Sequence, residues 1–129
     1  MDELVIRNML ALIAQHADDG PLDAYGVLFA EDATWEMPGA PIRRGRADIV
    51  AAGAQRRAAG ATGPGSHTRH AVLTTAVTVA GDQASATSYW QFFTTTDTAP
   101  VLASMGKYDD HLVRAGAGWL LRHRRITLG

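Results

Sequence analysis

The sequence contains no cysteine. Disulfides, thiolate nucleophiles and Cys-ligated metal sites are therefore excluded. Lysine is nearly absent too, since eleven of the twelve basic residues are arginine and the remaining one is Lys107. These cations are scattered in short groups such as Arg43-Arg44 and Arg56-Arg57, against 13 acidic residues, for a formal charge of -1. Such a chain has no positive field to draw it to nucleic acid or to an anionic membrane surface. No apolar run reaches the roughly 18–20 residues needed to span a bilayer. The N-terminus carries Asp2 and Glu3 without a signal-peptide pattern. No Gly-rich phosphate loop follows a strand, which argues against nucleotide binding. Repeats, low-complexity tracts and linkers are also missing. The expectation is one domain over residues 1–129, cytoplasmic, with neither nucleic acid nor membrane as a partner.

What is present is a globular composition, 47% hydrophobic and 19% charged. A chain of this length buries about two thirds of its unfolded surface in a single core. The most distinctive stretch is Ser66 to Thr96. Its β-branched, aromatic and threonine residues suit a pleated surface and disfavour a helix, and Gly81-Asp82 divides it as a hairpin turn would. Before it, Val5, Ile6, Met9, Leu12, Ile13 and His16 recur at spacings of three and four, which predicts a helix over residues 2–18. Asp18-Asp19-Gly20-Pro21 ends that helix. A short helix over Leu22–Phe29, a strand over Ala33–Met37 and a third helix over Arg46–Ala59 follow. Gly60–Gly65 is a connector and a candidate lid. After the hairpin, Pro100–Arg114 and Gly118–Leu128 read as two more strands. Helices first and strands last indicate α+β with an antiparallel sheet of five or six strands.

Side chains alternate along a strand, so His70, Val72 and Thr74 share one face, joined by Trp90 and Phe92 from the second strand. Ala71, Leu73, Val77, Tyr89 and Phe93 take the other. Both faces are half apolar and helices can cover only one, so a homodimer is expected to bury Leu73, Val77, Tyr89 and Phe93. The five histidines do not make a metal site: His67 and His70 point to opposite faces, His16, His111 and His123 lie on other elements, and no i, i+4 pair exists. Periodicity alone does not pair Asp18 with His70, because Asp18 lies on the small-residue shoulder of its helix with Ala11 and Ala14.

An ordered set of short motifs goes further. It comprises Ala17-Asp18-x-Gly20 with Leu22-Asp23, Leu28-Phe29-Ala30-Glu31-Asp32-Ala33-x-Trp35, Gly45-Arg46, Thr68-Arg69-His70, Gly81-Asp82-x-Ala84 with Ser88-Tyr89, Gly106-x-Tyr108-x-Asp110, and Gly118-Trp119 before Arg124-Arg125. In this the chain resembles the nuclear transport factor 2-like superfamily and its SnoaL-like branch. That branch groups polyketide cyclases, scytalone dehydratase-like enzymes, dehydrochlorinases and small subunits of ring-hydroxylating dioxygenases. The resemblance implies an α+β cone-shaped roll: a curved antiparallel or mixed sheet wraps the N-terminal helices around an apolar pocket. It implies an acid–base dyad of Asp18 and His70, with Arg124 placing a cation near a leaving group. It also implies pocket walls at Trp35, Trp90, Phe92, Ser104 and Tyr108; Val72 and Thr74 join these as residues on the His70 face. Thr74 departs from the asparagine that many relatives carry four residues after the motif histidine.

The function expected is a lyase or isomerase, needing no cofactor and no metal, that acts on a small apolar or aromatic substrate. His70 would be its base and Arg124 or Tyr108 an electrophilic helper. The alternatives are polyketide ring closure, or a non-catalytic role as a ligand-binding module or as a structural subunit of a larger oxygenase.

Overall fold

A computed structural model describes residues 1–129. The elements are helix α1 (Asp2–Asp18), helix α2 (Leu22–Gly26), strand β1 (Phe29–Glu36), the two-residue strand β2 (Arg43–Arg44), helix α3 (Arg46–Ala58), and strands β3 (Arg69–Ala80), β4 (Gln83–Thr94), β5 (Val101–Ala115) and β6 (Gly118–Leu128). The fold is α+β. Its strands form one open six-stranded sheet in the order β2-β1-β6-β5-β4-β3. All neighbours are antiparallel except β1 and β6, which run parallel, so the sheet is mixed.

The sheet wraps the helices because its inner face and the α1 stripe are both apolar. Ile6, Met9, Leu10 and Ile13 of α1 are buried together with Phe29, Ala33, Trp35, Ala84, Ala86, Trp90, Tyr108, Leu112, Leu121 and Ile126 from the strands. Fully burying a side chain of this size contributes about 1.5–3 kcal/mol, so this single cluster dominates the stability. Arg7 ties α1 to the sheet by donating from Nη1 to the carbonyl of Thr75 at 2.6 Å.

Three details differ from the sequence reading. The helix expected over Leu22–Phe29 stops at Gly26, and Phe29 already belongs to β1. Leu22 and Tyr25 carry a helical spacing, but parallel pairing of Phe29 with Leu121 overrides it. Gly26 ends α2 where α3 presses closest: a Cβ there would meet Val50 Cγ2 at 2.8 Å. Second, β2 is too short to carry a pattern of its own. Third, β3 has a bulge. Val72 pairs with Trp90 but Thr75 pairs with Ser88, so Leu73 and Thr74 together oppose Tyr89. Beyond the bulge every side chain changes face. Val77 and Val79 turn inward against the core, so Val77 is not on the outer face. Thr74 turns outward beside Tyr89.

No helix is long and apolar enough to cross a membrane.

Candidate active site

The site lies where the C-terminal end of α1 meets the start of β3. Asp18 closes α1 and is 3% exposed. Its Oδ2 accepts the backbone N–H of His70 at 2.8 Å, and its Oδ1 meets His70 Nδ1 at 2.7 Å. A carboxylate only accepts hydrogen bonds, so Nδ1 carries the proton in the neutral ring and the Nε2 lone pair is left without a protein partner. One residue on, Asp19 accepts from Arg69 Nη1 at 2.7 Å. Two consecutive acids thus fasten two consecutive residues of β3.

A carboxylate at a helix C-terminus faces the negative end of the macrodipole, which is unfavourable. Arg57 of α3 offsets this. Its Nη2 donates to the carbonyls of His16 (2.8 Å), Ala17 (3.3 Å) and Gly20 (2.6 Å), capping α1 from outside. The Gly60–Gly65 loop packs over that arginine. At Gly63, where φ is +92°, a Cβ would sit 2.6 Å from Arg57 Cγ. Glycine is required there for both reasons.

His70 borders a pocket of two lobes. The inner lobe is the more enclosed and runs among Ile13, Ala17, Tyr25, Trp35, Arg56 and Arg124. The more open lobe is walled by Ala61, Trp90, Phe92, Ser104 and Ile126. His70, Tyr108, Arg56 and Thr62 line both. The Phe92 ring holds the imidazole at a centroid distance of 4.7 Å. Trp90 stacks on Tyr108 at 5.7 Å. Trp90 can lie across β5 only because the residue below it is Gly106, where a Cβ would fall 2.8 Å from Trp90 Cζ2 and 1.9 Å from Thr127 O.

Arg124 is buried and bound twice by Asp110, with Nε to Oδ1 at 2.8 Å and Nη2 to Oδ2 at 2.9 Å. The two residues are direct partners across β5 and β6. Burial disfavours the Arg124 charge, but the Asp110 carboxylate outweighs it and raises the guanidinium pKa. The guanidinium also lies over the Tyr108 ring at 3.8 Å and the Trp35 ring at 5.4 Å. Burial pushes the Tyr108 hydroxyl up to about 12, with the nearby Arg124 charge opposing. Tyr108 is therefore a hydrogen-bond donor throughout the physiological range.

The structure thus brings together Asp18, His70, Arg124, Trp35, Trp90, Phe92, Ser104 and Tyr108. Two expected pocket residues lie elsewhere. Val72 packs against the core beside the pocket without lining it. Thr74 is exposed on the outer face, because the bulge reverses its side chain. His16 lies with Asp18, Asp19 and Arg69 in a separate polar groove behind the dyad. No group of three His, Asp or Glu side chains is placed to hold a metal ion. Sequence reasoning missed Tyr25, Arg56, Arg57 and Thr62 as site residues. The two arginines sit in the last turn of α3, where cations commonly complement the helix dipole, so their position in the chain gives no separate signal.

Solved structures with the same fold cover nearly the whole chain. An NTF2-like protein with a cystatin-like fold from Novosphingobium aromaticivorans superposes with a TM-score of 0.86 at 27% identity, over 98% of this chain and 81% of that one. ActVI-ORFA from Streptomyces coelicolor gives 0.80 at 26% identity, over 98% and 96%. A provisionally assigned scytalone dehydratase from Novosphingobium aromaticivorans gives 0.76 at 17% identity, over 98% and 83%, a likeness of fold alone. No curated protein sequence matches the chain. The model of the SnoaL-like domain matches residues 1–125, nearly the full length, and the chain belongs to that family.

Proposed function

We propose that the protein is a cofactor-independent lyase or isomerase that starts by removing a carbon-bound proton beside a carbonyl group. The observation that carries this reading is the Asp18–His70 contact at 2.7 Å with the far ring nitrogen unclaimed beside the pocket. Asp18 fixes the tautomer and favours the imidazolium that forms. His70 Nε2 takes the proton, and the electron pair moves onto the carbonyl oxygen as an enolate. Tyr108 is the donor to that oxygen, aided by Arg124, whose Nη1 is left free by Asp110. The enolate then expels a group on the β carbon, and His70 returns its proton to the departing oxygen. Membership of the SnoaL-like family supports cyclase- or dehydratase-type chemistry. An enolate attacking an internal carbonyl would close a ring with the same base, and membership of the SnoaL-like family supports this second reading.

The test is dehydration of 3-hydroxy-1-tetralone, which loses water to give 1-naphthol and is followed by naphthol fluorescence. The wild type should exceed buffer, and His70→Ala should lose about 10²–10⁴-fold of the enzymic rate. Equal rates for wild type and His70→Ala would refute the role of His70.

A further inference from the structure

The two lobes carry an unbalanced set of hydrogen-bonding groups. No Asp, Glu, Asn or Gln lines either of them, whereas Arg56, Arg57 and Arg124 do. Several donors there lack acceptors. The indole N–H of Trp35, the indole N–H of Trp90 and the hydroxyl of Tyr25 are buried with no hydrogen-bond partner. These side chains are 7%, 6% and 1% exposed, respectively. Tyr25 and Trp35 belong to the inner lobe and Trp90 to the more open one, so the polar side chains around the two lobes are mostly donors.

Two of the three guanidinium groups are already engaged. Arg124 is neutralised by Asp110, and Arg57 caps α1. Arg56 is different. It forms no ion pair with any carboxylate of the chain. Its polar neighbour is the Tyr25 hydroxyl: burial raises the Tyr25 pKa, and the Arg56 charge is the main influence pulling it back. Gly53, one turn earlier on α3, lies against both: a Cβ there would make ordinary contacts of 3.8 Å with Arg56 Nη2 and 3.9 Å with Tyr25 Cε2. A half-buried, unpaired cation that borders both lobes, one residue from an arginine with a structural duty, needs an account of its own.

We propose that Arg56 recognises an anionic group of the ligand, and that the substrate is an aromatic or otherwise largely apolar carboxylic acid. The planar guanidinium matches a carboxylate with two parallel hydrogen bonds. A phosphate would call for more cations or a run of backbone N–H groups, and only one guanidinium here is free. The carbon skeleton would rest on Ile13, Trp35, Trp90 and Phe92. The inference rests on the pocket being the substrate site, and it does not require His70 to act as a base.

Binding of 2-naphthoate and of its neutral isostere 2-naphthamide tests it, read by quenching of the pocket tryptophans. Neither probe can react, so the outcome is independent of the proposed chemistry. The wild type should prefer the carboxylate about tenfold, as expected for a hydrogen-bonded ion pair away from bulk water. Arg56→Gln should abolish the preference, weakening naphthoate binding much more than naphthamide binding, and Arg56→Lys should keep part of it. A merely structural Arg56 would weaken both probes equally. Equal affinity of the wild type for the two probes, a preference that persists in Arg56→Gln, or no saturable binding of naphthoate at millimolar concentration would each overturn the proposal.

Discussion

Two buried charge pairs flank the pocket, and they are built differently. Asp110 and Arg124 are 4% and 3% exposed, joined by two hydrogen bonds, and set on facing strands whose register fixes them. Asp18 is equally buried, but its partner His70 keeps a 20% exposed side chain and one nitrogen without a protein contact. A closed pair ties both side chains down and holds the sheet together, with only Nη1 of Arg124 left over. An open pair leaves one valence for a ligand. Under the proposed function, burial alone does not mark a catalytic charge; the unfinished hydrogen bond does.

The largest expected effect comes from breaking the closed pair. Asp110→Ala strands the Arg124 guanidinium in the core, and urea unfolding should show a loss of about 3–5 kcal/mol, a large part of the 5–15 kcal/mol typical of a domain. A loss below about 1 kcal/mol would mean that Arg124 finds water and that the two pairs are alike.

A smaller effect is expected at the stacked tyrosine that bridges them. Tyr108→Phe should cut turnover of 3-hydroxy-1-tetralone by about ten- to a hundredfold with little change in stability, as for one lost donor to a developing oxyanion. Because burial holds the Tyr108 hydroxyl up to about 12, the wild-type rate should show no alkaline decline from this group below that pH. A falling limb near pH 10 that vanishes in Tyr108→Phe would contradict the assignment.

The outer face of the sheet extends the comparison to assembly. Leu73, Tyr89, Leu102 and Met105 remain 51%, 55%, 45% and 46% exposed there. We propose that a second copy of the chain covers them, which keeps Leu73, Tyr89 and Phe93 of the expected homodimer surface, drops Val77 and adds Leu102 and Met105 from β5. Light scattering should return a dimer at micromolar concentration and a monomer for Tyr89→Glu. A wild-type monomer would sink this expectation.

The smallest effect lies far from the pocket. Hydrogen bonds from Arg114 and then Trp119 hold the Asp2 carboxyl below its ordinary range. Its folded pKa is below its unfolded one, so its contribution is present above the unfolded value and is lost as pH falls through the folded value. Asp2→Asn should flatten the acid side of the stability–pH profile and change little near neutrality. An unchanged acid limb would show the contact to be idle.

Much of this was legible in the sequence. The apolar spacing of α1, the hairpin around Gly81-Asp82 and the helices-then-strands order gave the architecture. The motif resemblance paired Asp18 with His70, which periodicity alone could not do, because the Asp18 shoulder becomes an inner position only once β3 crosses the end of α1. The bulge at Leu73-Thr74 was invisible: strand parity assumes an unbroken register, so Thr74 was assigned to the wrong face and Val77 with it. Asp110 and Arg124 were both noted, yet their union depends on a register that no local pattern reports. Arg56 was hidden by its neighbour, since two adjacent arginines at a helix end look the same until the contacts separate them.

The central claim is that the open pair is a base for carbon-bound protons. The most direct measurement is proton NMR of 1-tetralone in D₂O, following loss of its C2 protons, which reports proton removal whether elimination or ring closure comes next. Wild type should accelerate the exchange, His70→Ala should return it to the buffer rate, and Asp18→Asn should fall between, since the imidazole survives without its orienting charge. Exchange by His70→Ala as fast as by the wild type would contradict the account.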